Sequence, residues 1–216
     1  MENTPSVTQK IVFLAARKKN GDLTLKFCCF LLLMFNSACG FAGIFNFSNS
    51  YVDLFGGYNF VSSYKNEGVQ IEPETGFVVG GVFGANFLTF IRLEEEISYR
   101  KNKFDFVMLN NTLVPISGSI EAISSMTNLI FDIRLLGDYF VPYLGAGLGE
   151  KWEKQEMRRD RDSNQFSGKY GFVCQGIVGV SCCILPIIQA AVEYHYLDGP
   201  NTNGNHTLDI RLGIHF

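Results

Sequence analysis

An excess of basic residues is the first thing this sequence lacks. Its 216 residues carry 18 lysines and arginines against 21 aspartates and glutamates, a formal net charge of −3. A chain without a basic surplus has no counterion release with which to hold nucleic acid, and none is expected as a partner. Proline is scarce, at 6 residues, so long stretches are free to form strands. The 6 cysteines follow neither a disulfide framework nor a structural zinc pattern: Cys182 and Cys183 are adjacent, without a two-residue gap or histidine partners. No metal or cofactor is expected. Nor does the apolar run at residues 27–35, FCCFLLLMF, reach the roughly 20 residues of a transmembrane helix.

That short run takes its meaning from its flanks. Arg17, Lys18, Lys19 and Lys26 precede it and the small-residue stretch NSACGFAG follows, which together read as a secretory signal peptide with a long n-region. Residues 1–42 are assigned to it, with cleavage after Ala42 and Ala38 as the alternative; an uncleaved anchor or a buried helix is the competing reading. Cys39 is not taken as a lipid-attachment site, because Asn36 stands where such sites carry leucine. The extra residues at the start fit an upstream start codon equally well. Losing this segment removes five Lys/Arg and two Asp/Glu, so the mature part, 43–216, has a net charge of −6. It keeps Cys174, Cys182 and Cys183, read as small apolar residues of a strand and its turn, with an intermolecular bridge left open.

What the mature part has is alternation. Aromatics make up 14% of the chain and glycines number 22, and past residue 48 no convincing amphipathic helix appears. Eight period-two segments do, at 50–62, 75–87, 89–101, 119–136, 139–154, 166–182, 185–197 and 206–216. The last is the clearest: Leu208, Ile210, Leu212, Ile214 and Phe216 share one face, and Asp209, Arg211, Gly213 and His215 the other. The joints alternate too. Long connections (SYKNEGVQIEPE, NKFDFVMLNNTLVPISG, QEMRRDRDSNQ, DGPNTNGN) take turns with short ones at Asn86–Leu88, Gly137–Asp138 and Cys182–Ile184. This sorting fits an all-β, eight-stranded antiparallel up-and-down transmembrane barrel, with short turns at one rim and long loops at the other.

In such a barrel apolar side chains meet lipid and polar ones are enclosed. Parity gathers Arg92, Glu94, Glu96, Arg100, Asp132, Arg134, Glu193, His195, Asp209 and Arg211 on the enclosed side, a nearly balanced set able to neutralise itself in a narrow interior. The competing reading is that these charges wet the outside of a soluble sheet. Gly145, Gly147 and Gly149 share the inward face with Tyr143 and leave room for bulky neighbours such as arginines. Tyr51, Tyr58, Phe60, Tyr99, Tyr139, Phe140, Trp152, Tyr194, Tyr196 and Phe216 fall near strand ends, where aromatic girdles belong. Glu95 alone breaks the pattern: parity turns it to lipid, which a local bulge or a place near an interface would ease.

VPYLGAGLG, residues 141–149, resembles the Pro-Tyr-x-Gly-x-Gly-x-Gly strand of the small eight-stranded outer-membrane barrels of the opacity-protein or porin-like superfamily. The closing Phe216 resembles the C-terminal signal read by the outer-membrane assembly machinery, which the resemblance makes a partner. With YVDLFGGYNF near the start, the resemblance covers roughly residues 48–216. It implies a monomeric protein of the bacterial outer membrane, surrounded by lipid and lipopolysaccharide. The role it implies is structural or one of surface adhesion and recognition of a host or envelope ligand.

Catalytic chemistry is not expected. EYHYLDGPNTNG faintly resembles the His-x-Ser region of outer-membrane lipid A 3-O-deacylases, but the nucleophile position is Leu197, and a base without a nucleophile does no covalent work. Arg158, Arg159 and Arg161 lie among Glu153, Glu156, Asp160 and Asp162, as a solvated loop would have it. Together with Phe104, Phe106 and Met108 in loop 101–118, they are the candidate loop contacts; equally, 101–118 extends the neighbouring strands. A solute channel, a lipid-modifying enzyme and a soluble ligand-binding barrel are the other functional readings.

Overall fold

A computed structural model describes the backbone of residues 50–216, apart from 63, 67, 68, 72, 110, 111, 135–138, 159–163, 200 and 201; the side chains of 64–66, 69–71, 105–109, 112–117, 157, 158, 164–167, 202 and 203 are also outside what is described. The signal segment 1–42 falls outside the described residues, as do Arg159 and Arg161 and the side chains of Phe106, Met108 and Arg158.

The strands are β1 (Ser50–Val61), β2 (Tyr64–Asn66), β3 (Val69–Ile71), β4 (Gly76–Leu88), β5 (Ile91–Leu109), β6 (Thr112–Asp132), β7 (Phe140–Arg158), β8 (Asn164–Leu185), β9 (Ile188–Gly199) and β10 (Thr202–His215). β2 and β3 form a small hairpin on the edge of β5. The other eight make a closed antiparallel ring, each paired with its neighbours in order and β10 with β1. Closure ties the chain ends together: Ser50 N–H donates to Phe216 C=O (3.1 Å) and Phe216 N–H to Ser50 C=O (2.9 Å).

The register fixes the barrel's width. From Tyr51, paired residues run through Gly84, Glu94, Asn128, Gly147, Gln175, Leu197 and Asn205 and return to β1 at Val61, ten residues above the start. Eight strands with such a stagger tilt steeply and leave an interior that side chains can fill. Alternation decides which ones. Asp53, Glu94, Glu193 and Arg211 are buried inside, while Leu54, Ile97, Val192 and Leu212 stand exposed on the outer wall. Water would punish that exterior, and hydrocarbon rewards it.

Strand boundaries depart from the sequence reading at both rims. Below, β4 and β8 run past Asn86–Leu88 and Cys182–Cys183 through small register shifts, and the two-residue turns fall at Thr89–Phe90 and Pro186–Ile187. Above, most of the long connections are strand. β5 and β6 continue to Leu109 and from Thr112, β7 and β8 to Arg158 and from Asn164. These four are 19 to 22 residues long against 12 to 14 for β1, β4, β9 and β10. The barrel therefore has one tall wall.

Two side chains move accordingly. Phe104, a candidate loop contact in the sequence, is fully buried on the inner face of β5, its ring over Gly118. The ladder carries parity past the membrane, so a residue even-spaced from Glu94 still faces in. Tyr51, placed in the girdle, is also fully buried: it lies near a strand end, but on the inward parity.

Candidate functional site

The interior is a set of linked ion pairs within strands and between neighbours, tied across the barrel by Arg211 and Glu94. Arg92 on β5 donates through Nη1 to Glu94 Oε1 (3.1 Å) and through Nε to Asp132 Oδ1 (3.0 Å) on β6. Arg211 on β10 reaches across the barrel to Glu94 (3.0 and 3.2 Å) and contacts Glu193 Oε2 (2.8 Å) and Asp53 Oδ2 (3.4 Å). Two tyrosines complete this layer. Tyr51 donates to Glu94 Oε1 (2.6 Å) and Tyr143 to Glu193, and the Arg92 guanidinium lies over both rings, 5.6 and 4.9 Å from their centroids.

Glycines make that reach possible. A Cβ at Gly84 would collide with the Tyr51 ring, and one at Gly179 with the Tyr143 ring. The spaces at Gly145, Gly147 and Gly149 are taken by Ile130, Asn128 and Met126, not by the arginines the sequence suggested. The stagger sets β6 side chains, rather than the longer β5 and β10 ones, against the β7 glycines.

Above this layer His195 Nε2 lies 2.9 Å from Glu193 Oε2 and 3.4 Å from Asp209 Oδ2. Glu193, His195 and Asp209 have the residue types of a divalent-metal site, with ligand atoms within 4.8 Å of one another. Arg211 already presents its guanidinium to Glu193, so the place a metal would take has a cation of the chain's own. Higher still, Glu96 accepts from Ser98, Asn128 and Gln175 and pairs with Arg100 (3.8 Å). Lys151 pairs with Glu153 (3.0 Å). A ring of amides and a hydroxyl from Asn59, Asn102, Asn205 and Thr207 closes the top.

Of the ten residues assigned inside, nine are here. Arg134 is not: it follows the end of β6, its side chain is 43% exposed, and it touches Asp132 only at 3.9 Å. Asp53, Tyr51, Lys151, Glu153 and Gln175 were missed, although parity marks each of them. Asp53 alternates with the outward Val52 and Leu54, and Lys151 and Glu153 extend the Tyr143 and glycine face to the end of the segment 139–154. Counted fully, Asp53, Glu94, Glu96, Asp132, Glu153, Glu193 and Asp209 lie inside with Arg92, Arg100, Lys151 and Arg211. Part of the surplus of carboxylates is met by His195 and by hydroxyl and amide donors, which serve Glu94, Glu96 and Glu193. A void lined by Asp53, Arg92, Tyr143 and Arg211 has about 10 Å³ of room, enough for about one water.

On the outer wall, Tyr58, Phe60, Tyr139, Phe140 and Phe216 are exposed near the two rims, where interfacial aromatics sit. Above the upper rim, Lys101 pairs with Glu121 (2.7 Å) and Lys154 with Glu156 (2.6 Å). These hydrogen bonds hold both ammonium groups above the usual lysine range.

A closed eight-stranded ring with an apolar exterior and an ion-paired interior defines an outer-membrane β-barrel. Among solved structures it is similar to Neisserial surface protein A, with 18% identity and a TM-score of 0.55 over 77% of this chain and 97% of that one. It is also similar to Ail, the attachment invasion locus protein of Yersinia pestis (15%, 0.51, 78% and 98%), and to OprG of Pseudomonas aeruginosa (13%, 0.50, 78% and 97%). No curated protein matches its sequence. The family model described as "Surface antigen" matches residues 22–205, and the chain belongs to that family.

Proposed function

We propose that the protein is a surface-recognition barrel whose working part is the tall wall of β5–β8. The observation that carries this is an open edge. β8 pairs with β9 only from Cys174 onward, whereas its ladder with β7 begins at Asn164. Among the described residues, Asn164–Val173 is therefore bonded on one side only. The equivalent edge of β5 is covered by β3 and by Glu74, whose N–H donates to Lys103 C=O (2.7 Å). A long edge above the membrane offers a row of backbone donors and acceptors to an extended segment of another protein.

Ail has been solved with a heparin analogue, sucrose octasulfate. Lys101 and Lys154 would meet a sulfated ligand already tied to a glutamate each. The filled interior argues against a solute channel. His195 stands enclosed between Glu193 and Asp209, with a buried Leu197 two residues on, which argues against lipid chemistry.

Proline placed at Gly168 and, separately, at Lys169 tests the edge. Alternate residues of an antiparallel strand point their N–H groups to opposite sides, so one of the two blocks the open side and spares the ladder to β7. Cells displaying the folded variants are assayed for adhesion to immobilised serum and extracellular-matrix proteins. Loss of adhesion in one variant is the expected result; wild-type adhesion in both overturns the reading.

A further inference from the structure

β8 rises out of the hydrocarbon at about the point where its pairing with β9 stops. Its lower end is Leu185, and a hydrocarbon band about 25 Å tall takes about 10 residues of a strand tilted by about 40°, which puts the upper boundary at about Gln175. Among the described residues β8 pairs with β9 only from Cys174 onward. Above that rung Phe172, Tyr170 and Gly168 turn outward, and the two aromatics are 67% and 48% exposed. At that height no hydrocarbon covers them.

A notch lies beside them. A Cβ at Gly168 would meet nothing within 4 Å but Trp152 Nε1, at 3.8 Å, so packing does not demand the glycine. Trp152 stands opposite Tyr170 on β7, and its indole N–H is shielded from solvent with no hydrogen-bond partner among the described residues. A donor in that state favours an arriving acceptor. A ring laid across an edge glycine covers the bare backbone and meets the next aromatic in one contact.

We propose that the segment recognised at this edge is an extended stretch of another protein that sets a tyrosine over Gly168, with apolar residues at the alternate positions beside it. An added strand lies about 4.8 Å from β8, a gap that a tyrosine ring spans, bringing its hydroxyl oxygen to the indole N–H. The apolar neighbours pack on Tyr170 and Phe172. Selection of tyrosine rests on the edge being the recognition surface: main-chain bonds supply the affinity, and the notch supplies the choice of side chain.

Trp152 is the chain's only tryptophan, so its emission reports on the notch. The whole folded barrel, in a zwitterionic detergent, is titrated with the dye-labelled peptide Lys-Val-Thr-Val-Thr-Tyr-Thr-Val-Thr-Val-Lys and with its counterpart carrying alanine for tyrosine. Anisotropy of the dye measures binding. The tyrosine peptide should bind about tenfold more tightly and give the larger change in Trp152 emission. Gly168→Val, whose side chain has room in the barrel, should remove both differences and leave the heat-dependent gel mobility unchanged. Equal binding of the two peptides, or a preference that survives Gly168→Val, overturns the tyrosine site while the edge stands. Failure of both peptides to bind, or binding that survives both proline variants, overturns the edge and the site with it.

Discussion

Arg211 and Glu94 meet across the barrel, from strands separated by two others in the ring, through contacts of 3.0 and 3.2 Å. The same guanidinium serves Glu193 and Asp53, which makes it the hub of the lower interior. Replacing Arg211 with Met leaves three buried carboxylates short of their cation and should cost about 3–5 kcal/mol. Urea unfolding in lipid vesicles measures it. Adding Glu94→Gln should restore part of the loss, and a strictly additive double variant would show that the pair is not coupled.

Gly84 and Gly179 lie under the Tyr51 and Tyr143 rings. Valine at either should displace a ring whose hydroxyl serves Glu94 or Glu193, at a cost of about 1–3 kcal/mol or more. Valine at Gly176, where a Cβ would meet nothing within 4 Å, should be tolerated. Refolding yield, read from gel mobility before and after heating, separates the three.

The Phe216 side chain is exposed, while its backbone closes the ring to Ser50. Phe216→Ser should therefore leave the stability of the refolded barrel within about 0.5 kcal/mol. If the residue is the assembly signal that the resemblance implies, the amount in the outer membrane falls even so. Equal losses in stability and assembly would assign it a packing role instead.

Interior packing predicts silence in planar bilayers. With about 10 Å³ of void beside Arg92 and Arg211, the purified barrel should show no steady conductance. Removing Arg92, Arg211 and Tyr143 together as alanines should open a path and raise the current. Steady current through the wild type would restore the channel reading.

Much of this was legible beforehand because strand parity is local. A side chain's face depends only on its being an even or odd number of residues from its neighbours. That is why the eight segments emerged, and why Glu94, Glu193 and Arg211 were turned inward. Parity also marks Asp53, between the outward Val52 and Leu54 of β1, and Lys151, beyond the glycines of β7. Phe104 faces inward because β5 continues to Leu109, the alternative in which 101–118 extends the neighbouring strands.

By itself, then, the sequence determined the eight strands of the ring and the face that most of their residues take, since both are written in spacing along the chain. Tertiary structure decided the stagger between strands, and with it that Arg211 meets Glu94, that β6 side chains fill the β7 glycines, and that, among the described residues, β8 pairs with β9 only from Cys174 onward. Stagger is set where separate strands close into one ring, and every rung must fit all the others at once, so no single segment carries it.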